Sequence, residues 1–278
     1  MKLYKKITIA SLALTAALFL EGYRENRQLE KSYYTIHSNK VTSSKPIKIA
    51  QVSDTQFPRL RVSMDKLINA ISNEKPDMIF YTGDTIDRTE TIDETDLTLF
   101  LKKLTQIAPT FVVSGNHETT HPDYKQWLSI IENSDAILLE NEVKQMTVNQ
   151  DKVNVVGLSN DSTQLPKKEL DKIDSSSETL VLAHHPEKMD DYSQHLKTKG
   201  FTVFSGHAHG GQIIIPGIGG ILSPDQGFFP DYTDGLYQVK DNHLVVSRGL
   251  ANSSFPARIN NYPHLIFTTI SNEKADNS

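Results

Sequence analysis

Asp84 is the residue from which a reaction centre can be built. It lies in the stretch Tyr81-Thr82-Gly83-Asp84-Thr85-Ile86-Asp87-Arg88, directly after the apolar run Met78-Ile79-Phe80-Tyr81, which reads as a buried strand. Asp84 therefore emerges where a strand runs out into a loop. Gly83 lets the backbone turn tightly, and one carboxylate can be shared by two cations about 3.5–4 Å apart. A lone Gly-Asp would be a turn with a helix cap. Further polar loops outweigh that reading: Asp54 with Gln56, Asn116 with His117, His184, and His207 with His209 each follow an apolar run of their own. Open α/β sheets build their sites at the carboxyl ends of strands, so these loops can meet in one place. The spacing of 54 with 56 and of 207 with 209 sends both side chains of each pair to one side of an extended segment, where a pair can grip one ion.

The elements that must carry these loops follow along the chain. Residues 46–52 alternate as a strand, and residues 64–73 form a helix candidate with Leu67, Ile68 and Ile71 on one face. Leu97, Phe100, Leu101 and Leu104 give the i, i+3, i+4, i+7 pattern of an amphipathic helix over 97–107. A strand at 111–113 and a helix face of Trp127, Leu128 and Ile131 continue the rhythm, which argues for right-handed βαβ units on a buried, largely parallel sheet. Afterwards come a hairpin signal (143–148 and 153–158), strands at 180–183 and 201–204, a second hairpin (235–239 and 244–247) and a last strand at 265–270.

With 278 residues, 37% hydrophobic and 23% charged, the chain suits one large domain. Its formal net charge of -5 supplies no general electrostatic reason to bind a nucleic-acid duplex or an anionic surface. The absence of cysteine removes disulfides, thiolate metal sites, cysteine nucleophiles and lipid-modified cysteine. Residues 1–6 are basic and lead into an apolar segment, 7–20, which reads as an export signal. No small-x-small cleavage site follows Leu20, so an uncleaved single-pass anchor with the catalytic part extracytoplasmic is expected, and secretion after cleavage is the alternative. The resulting division is a signal segment at 1–22, a polar tether at 23–45, a catalytic domain at 46–271 and a disordered tail at 272–278.

Taken in order, Asp54-x-Gln56, Gly83-Asp84-x-x-Asp87-Arg88, Gly115-Asn116-His117-Glu118, His184 and Gly206-His207-x-His209 resemble the five blocks of the calcineurin-like metallophosphoesterases, over roughly residues 47–270. The stretches 206–212, with Pro216 after it, and 247–250 resemble the bacterial membrane-associated branch. The resemblance implies an α/β fold, a four-layer α/β/β/α sandwich of two mixed sheets. It also implies two divalent metal ions, one held by Asp54, Gln56, Asp84 and His209, the other by Asp84, Asn116, His184 and His207, with Asp84 as the bridge. His117 would be the general acid, and Asp87 would accept its other N–H and hold it cationic. Gln56 departs from the histidine most often found there. An amide oxygen is a harder, weaker ligand than imidazole, so Mn²⁺ is expected, although Fe, Zn²⁺ and Ni²⁺ suit the same donors.

The implied reaction is hydrolysis of a phosphomonoester, phosphodiester or pyrophosphate by hydroxide activated between the metals, on a lipid-linked or a nucleotide substrate. The rival class is a metal-binding scaffold of the same fold without turnover; a proton donor beside the metals would be idle in it. His37, His121, His195, His243 and His264 read as ordinary histidines, His184 is preferred to His185 as ligand, and Arg248 and Arg258 are left outside the site. The run 217–220 matches a phosphate loop only weakly. Phe228, Phe229 and Tyr232 fit a pocket wall or core packing equally. Substrate identity and oligomeric state are left open.

Overall fold

The computed structural model describes residues 3–252 and 258–272. Its first half runs α1 (Leu3–Glu25), β1 (Glu30–His37), β2 (Ile47–Val52), α2 (Met64–Glu74), β3 (Met78–Tyr81), α3 (Glu94–Thr105), β4 (Thr110–Val112), α4 (Asn116–Thr120), α5 (Tyr124–Glu132) and β5 (Ile137–Leu138). The second runs β6 (Glu142–Val148), β7 (Asp151–Gly157), α6 (Lys167–Leu170), β8 (Glu178–Leu182), α7 (Met189–His195) and β9 (Phe201–Ser205). Two short pairs follow, β10 (Ile214–Ile215) with β11 (Gly219–Gly220) and β12 (Leu222–Ser223) with β13 (Gly227–Phe228), and then β14 (Gly235–Val239), β15 (Asn242–Val246) and β16 (His264–Ser271).

Two six-stranded sheets result, ordered β1-β16-β2-β3-β4-β5 and β14-β15-β9-β8-β7-β6. In the first, β2, β3, β4 and β5 run parallel and β16 lies antiparallel to β2. In the second, β15, β9, β8 and β7 run parallel, with antiparallel strands at both edges. Both sheets are mixed, and strand periodicity explains how they stack. Ile47 and Ile49 of β2 point to the inter-sheet core with Phe80, Phe111, Val155, Leu182 and Phe204, while Ala50 and Val52 point outward to Leu67 and Ile71 of α2 and to Phe100 and Leu104 of α3. Phe80 meets Phe204 of the opposite sheet edge-on at 5.0 Å, a contact worth about 0.5–1.5 kcal/mol beyond the area it buries. On the far side, Val156, Val181 and Val203 pack against Met189, Tyr192 and Leu196 from the α7 region. The layers are therefore α/β/β/α, the expected sandwich.

The seam between the sheets is polar at one point. The buried Gln51 side chain donates to the Ser205 carbonyl of the other sheet at 2.9 Å and to the Thr82 hydroxyl at 3.2 Å, just beneath the strand ends that carry the candidate residues.

At the amino end the structure differs from the sequence expectation. Within the stretch expected as a polar tether, 23–45, residues 30–37 form β1, an edge strand paired in parallel with β16 over its whole length. Alternating exposure along β1, and a partner more than two hundred residues away in the chain, hide it from any local pattern. Helix α1 spans 23 residues, and among the described residues no helix is long and apolar enough to cross a membrane. Of the tail expected to be disordered, residues 273–278 lie outside the described residues.

Candidate metal centre

All the loops singled out from the sequence arrive at one end of the sandwich. Those after β2, β3 and β4 bring Asp54 and Gln56, Asp84, and Asn116 and His117; those after β8 and β9 bring His184, and His207 and His209. Asp54, Gln56, Asp84, His207 and His209 all have φ between 43° and 65°. For non-glycine residues this left-handed conformation costs of order 1–3 kcal/mol each, and it persists only where the surroundings over-determine it. Main-chain bonds between the loops do so: Asp54 N–H to Gly83 O (3.1 Å), Gln56 N–H to Asp84 O (3.0 Å) and Gly206 N–H to His184 O (3.1 Å). The glycines are part of the cage. A Cβ on Gly115 would stand 2.2 Å from Asp84 Oδ1, and one on Gly83, at φ 92°, would stand 2.5 Å from His184 Nδ1.

Two donor groups share Asp84: Asp54, Asp84 and His209 on one side, and Asp84, His184 and His207 on the other. His209 Nε2 lies 3.4 Å from Asp54 Oδ1, and His184 Nε2 lies 3.3 Å from Asp84 Oδ1. Asn116 Oδ1 completes the second group, 3.2 Å from His184 Nε2 and 3.1 Å from His207 Nδ1. Gln56 completes the first, its amide nitrogen 3.3 Å from His209 Nε2. The Gln56 Oε1 atom is buried without a hydrogen-bond partner; a cation would satisfy it. The ring of His184 is already oriented for coordination, since Nδ1 donates to the Thr82 carbonyl at 2.8 Å and leaves Nε2 facing the cluster. His185, its neighbour, turns away to Asn160 Oδ1 and Glu187 Oε1, both at 2.8 Å. The donor set, all nitrogen and oxygen, fits two divalent cations of the Mn²⁺, Fe, Zn²⁺ or Ni²⁺ kind.

Electrostatics fit the same use. Burial pushes Asp54 up to about 7, against the pull of His184. Burial also works to raise Asp84, but the charge and hydrogen bond of His184, helped by His117, hold its carboxyl well below the usual carboxylate range. Burial opposes protonation of His184, yet Asp84 and then Asp54 win and raise it to about 10. His207 is pushed down to about 4 by burial and by the charges of His184 and His185, and His209 is held well below its ordinary value by burial and Arg258. Neutral pH thus finds His207 and His209 with free lone pairs, whereas His184 must give up a proton when a metal arrives.

His117 Nε2 faces Asp84 Oδ2 at 3.7 Å, and its Nδ1 accepts the Arg88 backbone N–H at 3.1 Å. The expected hydrogen bond from His117 to Asp87 is not formed. Asp87 Oδ2 lies 3.7 Å from Nδ1 and pairs instead with Arg59 at 3.2 Å, while its Oδ1 accepts from the Thr89 N–H and hydroxyl. With Nδ1 already accepting, the imidazole proton belongs on Nε2, the nitrogen turned toward the pocket.

Sequence reasoning gave Glu118 no role, yet it is fully buried and is the fastener of the site. Its Oε2 accepts from the backbone N–H of Asp84 (3.0 Å) and Gly115 (2.7 Å), and its Oε1 from the N–H of Thr85 (2.6 Å) and Ile86 (3.1 Å) and from the Thr85 hydroxyl (2.9 Å). The available signal was its place as the third residue of α4, from which a glutamate reaches back to the N–H of the residue before the helix, here Gly115. Asp225 was missed as well: its carboxylate meets His207 Nε2 at 3.0 Å and lines the same pocket as Arg88, Asn116, His117 and Pro224. Arg258 is buried, outside the donor groups, and braces the Arg248 and Ala251 carbonyls and the Asn252 and Asn261 side chains.

A family model described as calcineurin-like phosphoesterase matches residues 47–211. The chain is 28% identical over 258 residues to the metallophosphoesterase YkuE of Bacillus subtilis, covering 89% of this chain and 87% of the relative. It is 26% identical over 226 residues to the phosphodiesterase YaeI of Escherichia coli (79% and 80% of the two chains). With the UDP-2,3-diacylglucosamine pyrophosphatase LpxG of Chlamydia muridarum it shares 24% over 239 residues (68% and 69%).

Proposed function

The chain belongs to the calcineurin-like phosphoesterase family, and from that premise we propose that it hydrolyses a phosphoester or pyrophosphate bond at a site holding two divalent cations. The observation that carries this reading is the sharing of Asp84 between two buried donor groups, one of which contains a Gln56 oxygen with no other partner. Asp54, Gln56, Asp84 and His209 would hold one cation and Asp84, Asn116, His184 and His207 the other. When bound, such a pair lowers the pKa of water and neutralises charge on a phosphoryl group. The amide at position 56 favours Mn²⁺.

The protein's own groups do the rest. His117 turns Nε2 to the pocket, its neutral ring held by the Arg88 N–H on Nδ1; as proton donor to the leaving oxygen it would act as the imidazolium, with that contact on Nδ1 released. Asp87 anchors the loop that supplies this N–H through Arg59 and Thr89, a positioning role in place of a direct one. Arg88 lines the pocket as a cation for the substrate phosphate.

An extracytoplasmic place at the membrane through residues 1–22 and a lipid-linked phosphate as substrate complete the proposal, and the diacylated compound in the printed name of LpxG supports the latter. The test is a panel of monoesters, diesters, nucleotides and lipid phosphates with Mn²⁺-loaded protein, with elemental analysis in parallel. Turnover of at least one class and loss of both metals in Asp84→Asn are expected. Two tightly held metals in Asp84→Asn, or a loaded protein inert across the panel, would overturn the reading and favour the scaffold.

A further inference from the structure

Between the last candidate ligand and β14 the chain makes two short hairpins, β10–β11 and β12–β13. From Gln212 to Pro224 this segment carries no charged residue. Its large apolar side chains are turned to solvent: Ile218 is 64% exposed, Leu222 43%, Phe228 73% and Phe229 67%. Nothing lies within 4 Å of where a Cβ would stand on Gly217, Gly219 or Gly227, so the tips project from the body with no core behind them. Exposed aromatic and aliphatic side chains gathered on a protruding segment, its first hairpin uncharged and its second carrying Asp225 in the turn, mark an interaction surface.

Two connections fix what that surface faces. Pro224 and Asp225, between β12 and β13, line the pocket of the metal centre, with Asp225 on His207. Asn261 then ties the hairpins to the end of α1. Its side chain donates to the carbonyls of His209 (2.8 Å) and Gln212 (3.0 Å), and its backbone N–H donates to Glu25 Oε2 at 3.4 Å. The Ile214 N–H bonds the Ile259 carbonyl at 3.0 Å in the same loop. Leu20 and Tyr23, in the last turns of α1, are exposed as well. Two separate apolar surfaces, the carboxyl end of α1 and the hairpin tips, thus lie at the same end of the molecule as the pocket mouth.

We propose that the β10–β13 hairpins are a lipid-bilayer contact that seats the pocket mouth at the headgroup level beside α1, so that the phosphate attacked belongs to an amphipathic molecule still resident in the membrane. The proposal rests on the phosphoesterase reading and deepens it by naming the surface from which substrate is drawn. A bilayer is the occupant the page favours. The tips hold four large apolar side chains, Ile218, Leu222, Phe228 and Phe229, in solvent with only Asp225 and Asp231 beside them, which matches the acyl boundary of a membrane better than the polar-rimmed surface of a protein partner. A second copy seated over Pro224 and Asp225 would also close the mouth that substrate must use.

Because the chain has no cysteine, single labels can be placed cleanly. Phe228→Cys, Leu20→Cys and Gln150→Cys in the full chain, each carrying a nitrobenzoxadiazole group, would be mixed with vesicles of equal parts phosphatidylglycerol and phosphatidylcholine, with and without doxyl-lipid quencher. Gln150 precedes β7, which runs parallel to β8, so it reports from the opposite end of the sheet. The labels at 228 and 20 should blue-shift and be quenched, and the label at 150 should not. Phe228→Ser with Phe229→Ser should weaken vesicle partition by at least about tenfold, since two phenyl groups leave the acyl boundary, while hydrolysis of soluble bis(p-nitrophenyl) phosphate stays unchanged.

A label at 228 that remains aqueous on vesicles while the label at 20 is quenched would overturn the proposal and leave α1 as the sole contact. A blue shift at 228 that grows with protein concentration in the absence of vesicles would overturn it in favour of a second copy. Vesicle insertion by a Mn²⁺-loaded protein inert across the whole panel of monoesters, diesters, nucleotides and lipid phosphates would instead sink the phosphoesterase reading and leave the bilayer contact standing.

Discussion

Changing Glu118 to glutamine preserves shape and removes one acceptor oxygen, so its effect can be worked from the contacts. Oε2 serves two donors, the N–H groups of Asp84 and Gly115, and Oε1 serves three. The new amide nitrogen will take the Oε2 side, because the other orientation would oppose three donors instead of two. Two buried N–H groups then lose their acceptor, at about 1–3 kcal/mol each, for a total of roughly 2–6 kcal/mol. For a domain of this size that is a fall in Tm of the order of 5–20 °C. Because the two donors belong to the loops of Asp84 and Asn116, metal affinity should fall with stability. Urea unfolding of the metal-free proteins gives the first quantity, and Mn²⁺ titration of the folded proteins gives the second. A Glu118→Gln protein within about 1 kcal/mol of the parent, binding Mn²⁺ equally well, would refute the idea that this carboxylate fastens the two loops together.

His117→Ala should retain both metals yet lose about 10²–10⁴-fold in kcat/KM on substrates with poor leaving groups, and less as the leaving group becomes a stable anion; a uniform loss across a leaving-group series would contradict the proton-donor role. Metal binding should tighten with pH: His184, at about 10, surrenders a proton throughout the neutral range, and Asp54, at about 7, surrenders a further fraction below it. The apparent affinity should rise about tenfold per unit near pH 8 and more steeply toward pH 6, where Asp54 adds its share, and a flat profile would rule this out. Burial works to raise Asp151, but the Thr42 hydroxyl and the N–H groups of Thr42 and Ser43 outweigh it and hold its carboxyl below the ordinary value. A depressed folded-state pKa stabilises above the unfolded value and is lost as pH falls through the folded one. Asp151→Asn should therefore be less stable than the parent near pH 6, with the gap in urea midpoint closing below about pH 3.5; a gap that is constant with pH would exclude the linkage.

What could be read from the chain alone was whatever short-range pattern encodes. The strands that end in Asp54, Asp84, Asn116, His184 and His207 are short apolar runs closed by a polar loop, so both the strand and its functional end are local signals. Glu118 was visible as a letter but not as a fastener, because its five donors come from loops up to 34 residues away. Strand β1 was lost for a similar reason, its partner being β16. The Asp87 bond to His117 was expected from the family resemblance; the Arg88 N–H on Nδ1 and a competing Arg59 decide otherwise, and side-chain rotamers of that kind leave no trace in spacing. The hairpins after His209 contain strands of only two residues, too short for any period to register.

The division of the donors between the two sheets reaches into how the protein is made. Asp54, Gln56, Asp84 and Asn116 all belong to loops of the first sheet, and His184, His207 and His209 to loops of the second. Synthesis therefore delivers every oxygen donor before any imidazole: the chain up to Asn116 carries three of the four groups proposed for one cation and two of the four proposed for the other, and the first sheet itself is completed last, by β16. Full-strength capture must wait until the sheets close over Gln51. Cations bound across that seam, as proposed, would be rivets between two halves of one chain, and metal supply in the compartment where folding finishes would then govern how much mature protein accumulates there.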